Sequence, residues 1–78
     1  MPFPANLAAI KAACGWTWRD LGADTGIHPK RLHRLALGQV EVTLAEVVAI
    51  ARVFDVLPED LAWMDAPDFA RLLPRLVA

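Results

Sequence analysis

Lys30, Arg31, His33 and Arg34 crowd into five consecutive positions, and no acid appears from Thr25 to Val40. At helical spacing Lys30 and Arg34 stand one turn apart on one side, with Leu32, Leu35 and Ala36 on the other. The guanidinium of Arg34 can grip the two acceptors of a guanine edge, and Lys30 can add a base or phosphate contact. Arg31 and His33 flank that face and would suit phosphates on the two groove walls. For His33 an exposed polar role with no partner is an equal reading, and a partly charged imidazole would make binding pH-sensitive. Gly26 precedes the cluster, and Pro29 falls in the first helical turn, where no backbone donor is needed. A short helix with one apolar and one cationic face, entered through a glycine turn, meets the requirements of a DNA recognition helix. On an arbitrary helix the same residues would simply be a solvated face.

The charge distribution sharpens this. The 78 residues carry a net charge of −1, which by itself argues weakly against a polyanion as partner. Residues 1–24 balance Lys11 and Arg19 against Asp20 and Asp24, residues 25–40 carry +3, and residues 41–78 carry −4. One basic element therefore sits on an otherwise acidic body. Local potential steers a charged partner more than net charge does, because distant charges are screened beyond about 8 Å.

Other chemistries find little support. One cysteine, Cys14, excludes an internal disulfide and makes a cytoplasmic location the default expectation. His28, His33 and Cys14 are too few and wrongly spaced for a zinc site, so no metal or cofactor is expected. No general base stands in register with Cys14, and neither a Ser/His/Asp arrangement nor a phosphate loop appears, so an enzyme is not expected. No apolar run approaches the ~20 residues that span a membrane, and the N-terminus lacks the basic start and apolar core of a signal peptide.

The elements that must position the cluster read as all-α. A first helix is expected over 5–14, with Leu7, Ile10 and Cys14 inward and Gly15 as its stop. Thr17 and Asp20 form a capping box for a second helix that ends before Gly26. Gly22 inside it costs about 1 kcal/mol against alanine and suggests a close helix crossing. The third helix runs from about His28 to Leu37 and closes on Gly38. Thr43 and Glu46 open a fourth over 44–54, whose core face is Leu44, Val47, Ile50, Ala51 and Phe54. Pro58-Glu59-Asp60 starts a fifth, and Asp65-Ala66-Pro67 breaks it. Segment 67–77 carries a last stripe, Phe69, Leu72, Leu73, Leu76 and Val77, in which Pro74 ends the helical turn at Leu73.

With that order in place, residues 7–61 resemble the lambda-repressor-like helix-turn-helix domain of the Cro and phage-repressor (XRE) class. The resemblance rests on Leu7, Ile10, Gly15-Trp16-Thr17, Leu21, Gly26-Ile27, Leu32, Arg34-Leu35, Gly38, Thr43-Leu44, Ala51, Phe54, Val56 and Leu61, in register without a gap. It implies a five-helix domain over 1–65, with a C-terminal amphipathic segment over 66–78 that either dimerises or caps the core. It also implies that the third helix enters the major groove while the start of the second lies against a phosphate. The family often has glutamine where this chain has Trp18, a polar base-reading residue at Pro29, Ser or Thr at His28, and a polar pair at Ala36-Leu37. Trp16 takes a core position usually held by leucine. Trp18 is read as a phosphate contact, with packing against the first helix as the alternative.

The resulting expectation is a compact transcriptional regulator that binds double-stranded DNA at an operator as a homodimer. Lys30, Arg31, His33, Arg34 and Trp18 would contact DNA, and Trp63, Met64, Phe69, Leu72, Leu73 and Leu76 would form the seam. The alternative is a helix-turn-helix fold used as a protein-interaction module, such as an antitoxin meeting its toxin through Trp63 and Met64.

Overall fold

A computed structural model describes residues 1–76, without the side chain of Leu76. Six helices follow one another: α1 Phe3–Cys14, α2 Trp18–Thr25, α3 Pro29–Ala36, α4 Leu44–Phe54, α5 Pro58–Trp63 and α6 Ala66–Leu76. No strand occurs among the described residues. The all-α reading holds, and the predicted bounds of the fourth helix are reproduced.

Local chemistry explains most boundaries. The Thr17 hydroxyl accepts from the Asp20 N–H at 3.1 Å, and the Asp20 carboxylate accepts from the Thr17 N–H at 3.2 Å, closing the expected capping box. Those bonds hold the Asp20 carboxyl below its ordinary pKa. Thr43 and Glu46 repeat the box at the start of α4. α1 begins at Phe3, two residues earlier than expected. Pro4 is tolerated in a first turn, and extending the helix buries the Phe3 ring completely. α6 runs through Pro74 to Leu76 instead of stopping at Leu73. In the final turn, proline removes only one backbone bond, which the rest of the helix outweighs.

The core is built from Phe3, Leu7 and Ile10 of α1, Leu21 of α2, Leu32 and Leu35 of α3, Val47, Ile50, Ala51 and Phe54 of α4, and Leu61 of α5. α1 packs on α3, α5 and α6, while α2 packs on α3 and α4. Trp16 leans on this core and meets Phe54 edge-on at 5.9 Å. Cys14 is half-buried, and burial raises its thiol pKa, the opposite of an activated nucleophile. Leu44 departs from expectation: it is 79% exposed, because the first residue of α4 projects past the elements that cover the rest of its face.

The C-terminal stripe divides. Phe69 is fully buried in the chain's own core, so it caps that core and is unavailable to a dimer seam. Leu73 packs partly against the same cluster, and Leu72 is half-buried. The expected seam role of Leu76 rests on a side chain outside the described residues, as does Val77.

One buried polar residue was not anticipated. Asn6 of α1 is fully buried and its amide donates to the Met64 carbonyl at 2.8 Å and the Leu61 carbonyl at 3.1 Å. These carbonyls lie at the end of α5, where no further turn can pair them, so Asn6 ties α1 to that helix end. Its Oδ1 has no hydrogen-bond partner among the described residues.

Candidate nucleic-acid interface

The cationic cluster is held by a tight turn between α2 and α3. Gly26 ends α2 at φ 75°, a left-handed conformation that favours glycine, and its N–H bonds the Gly22 carbonyl at 2.9 Å. The Thr25 hydroxyl donates to the Leu21 carbonyl at 2.8 Å and accepts from the Ile27 N–H at 3.2 Å. Gly22 sits at a close crossing of the chain. A Cβ there would lie 2.8 Å from the Ile27 carbonyl oxygen and 3.1 Å from Cγ of Pro29. The expected close crossing is therefore the α2–turn–α3 contact itself.

His28 caps α3, its Nδ1 accepting from the Lys30 N–H at 3.1 Å, and Pro29 occupies the first turn. Leu32 and Leu35 are fully buried while Lys30, His33 and Arg34 are exposed. The helix thus drives its apolar stripe into the core and turns its cations outward. Leu37, just past the helix end, is 57% exposed beside them and offers an apolar contact of the kind that thymine methyl groups take.

Arg31 takes a different role from the one expected. Its Nε and Nη2 grip both carboxylate oxygens of Glu46, at 2.5 and 2.9 Å, and Nη2 also donates to the Glu41 carbonyl at 3.1 Å. A guanidinium held in this two-pronged way is an internal tie between α3 and the start of α4 rather than a free phosphate contact. The hydrogen bonds from Arg31, strengthened by those from Thr43, hold the Glu46 carboxyl down at about 2. The same bonds raise the Arg31 pKa.

Trp18 is half-buried and packs against the core. Nζ of Lys11 lies 4.5 Å from the centre of its ring, and the His33 imidazole lies 5.8 Å away, tilted by 32°. The packing alternative from α1 is thus realised, while the indole still borders the cationic face of α3. Lys11 was missed as a member of this cluster. It sits on a separate helix, and only the folded crossing at Gly15 brings it to Trp18. Trp63 is 67% exposed, whereas Met64 packs partly against the core. Among the described residues, no group of three or more His, Cys, Asp or Glu side chains is placed to hold a metal. No described helix is long and apolar enough to cross a membrane.

This order of helices, with the glycine turn between α2 and α3, defines a helix-turn-helix fold. A family model described as a helix-turn-helix domain matches residues 5–64, and the chain belongs to that family. The lambda-repressor-like resemblance read over residues 7–61 falls within the matched span. No curated protein and no solved structure matches the chain.

Proposed function

We propose that this protein is a cytoplasmic, DNA-binding transcriptional regulator that occupies an operator as a homodimer, with α3 in the major groove. The observation that carries this reading is the outer face of α3. Lys30, His33 and Arg34 stand in solvent, none of them ion-paired among the described residues, on a helix anchored by Leu32 and Leu35. Rigid presentation matters, because a base contact is selective only when the side chain arrives at a fixed register. Arg34 reads a base edge, Lys30 reads a base or phosphate, and His33 contacts the backbone with Trp18 beside it. Arg31 positions the helix through Glu46.

A single α3 offers two or three cationic contacts, too few for tight binding, so two copies on half-sites about 34 Å apart complete the operator. The half-buried Leu72 and Leu73 on α6 supply the seam. Fluorescence anisotropy with a fragment from the protein's own locus tests the reading. Affinity should fall with salt at a log–log slope of roughly −4 to −5 for two protomers. Absence of binding, or binding indifferent to salt, refutes it.

A further inference from the structure

Three of the chain's exposed large apolar side chains gather in one place. Met1, Leu44 and Trp63 are 66, 79 and 67% exposed, and all three line a single groove of about 380 Å³ between α4 and α5. Val47, Pro58 and Ala62 complete its apolar floor, and Glu59 is its charged side chain. A second depression adjoins it, sharing Met1 and Val42, and its charged side chain is Glu41. No Lys, Arg or His lines either one. Neither carboxylate makes an ion pair among the described residues, and nor does the Met1 amino group. Lys30, His33 and Arg34 of α3 are not among its lining residues.

We propose that this groove docks a segment of another protein that presents large apolar side chains together with a lysine or arginine. The apolar floor supplies the burial, since exposed Trp and Leu side chains in a concave setting are the groups that anchor such contacts. The two unpaired carboxylates outnumber the single Met1 amino group and so supply the sign, because a cation above them gains attraction while an acid is repelled. A second copy fits poorly. A two-fold contact through this face brings both carboxylates from each side, with only the Met1 amino group of each copy to meet them. None of the side chains proposed to contact DNA lines the groove, so on that reading the partner need not compete with the operator for them.

Selection of short random peptides from a display library against the intact protein tests the proposal. The enriched sequences should combine Leu, Ile, Phe or Trp with Lys or Arg. A synthetic peptide of the winning sequence should weaken roughly thirty-fold on Trp63→Ala, the size of a central aromatic anchor. It should weaken several-fold on Glu59→Lys and not at all on Arg34→Ala, with circular dichroism unchanged in all three variants. Failure to enrich, an acidic or charge-free consensus, or indifference to Trp63→Ala overturns it. So does sedimentation in which the wild type self-associates and Trp63→Ala does not, which gives the groove to a second copy.

Discussion

Lowering the pH should unfasten α3 from α4 through Glu46, and the structure sets both the direction and the size of the effect. The carboxyl titrates at about 2 in the folded protein against an ordinary 4.5, because Arg31 and Thr43 bond its charged form. A depressed carboxyl stabilises the fold above its unfolded pKa, and that contribution is lost as pH falls from about 4.5 toward about 2. Taken at face value the shift corresponds to at most about 3.4 kcal/mol. The Arg31 side chain is 40% exposed, so water screens the pair, and about 1–2 kcal/mol is the realistic share. Glu46→Gln keeps an oxygen for the Thr43 cap but removes the charge. Urea unfolding should therefore show Glu46→Gln about 1–2 kcal/mol less stable than wild type near neutral pH, with the gap narrowing as pH falls below about 4.5 and closing only toward about 2. The comparison cancels the other carboxylates, which titrate in both proteins. Equal pH dependence in the two would show that the Arg31–Glu46 contact contributes nothing and that α3 is held by its apolar stripe alone.

Gly22→Ala should destabilise the fold by about 1–3 kcal/mol in the same assay, despite alanine's better helix propensity, because its Cβ would strike the Ile27 carbonyl. Asn6→Ala should cost about 2 kcal/mol or more, since it strands the carbonyls of Leu61 and Met64 at the buried end of α5. Arg34→Ala should lose about 1–3 kcal/mol on the preferred operator and little on random DNA, whereas Arg31→Ala should lower stability and weaken both alike. Competition anisotropy with the two DNAs separates these outcomes. Leu72→Glu should yield a folded monomer by sedimentation if α6 carries the seam, while Phe69→Ala should lower the melting temperature by cavity formation.

Much of the fold was legible because short-range rules agree with one another here. The two capping boxes, the glycine stops at Gly15 and Gly26, and the stripe of Leu32 and Leu35 each point to the same helices that tertiary packing selects. What escaped was long-range. Nothing near Asn6 in the sequence shows that its amide will meet carbonyls more than fifty residues away. The periodicity of α4 placed Leu44 on the core face, but no periodicity tells where the covering helix ends. Arg31 looked like its neighbours Lys30 and Arg34 because a cation's partner on another helix is invisible to spacing. The α6 stripe was undecidable for a related reason: an apolar face demands cover, and only the fold shows that Phe69 finds its cover within the same chain.

Trp18 shows how a departure from a family's usual residue can be absorbed by the fold around it. A glutamine at the start of α2 would donate and accept hydrogen bonds, whereas an indole only donates. Around this indole the chain has gathered a lysine over the ring and a histidine beside it, one from α1 and one from α3. The aromatic face thus works as a platform that holds two nitrogen-bearing side chains next to the cationic face, where a polar side chain would otherwise reach for the phosphate itself. The consequence is a coupling between α1 and α3 across Trp18. Replacing Trp18 with alanine should release Lys11 and His33 together, lowering affinity for all DNA sequences while leaving Arg34's preference among them intact. A loss of preference on Trp18→Ala would instead mean that the indole sets the register of α3, and the platform reading would fail.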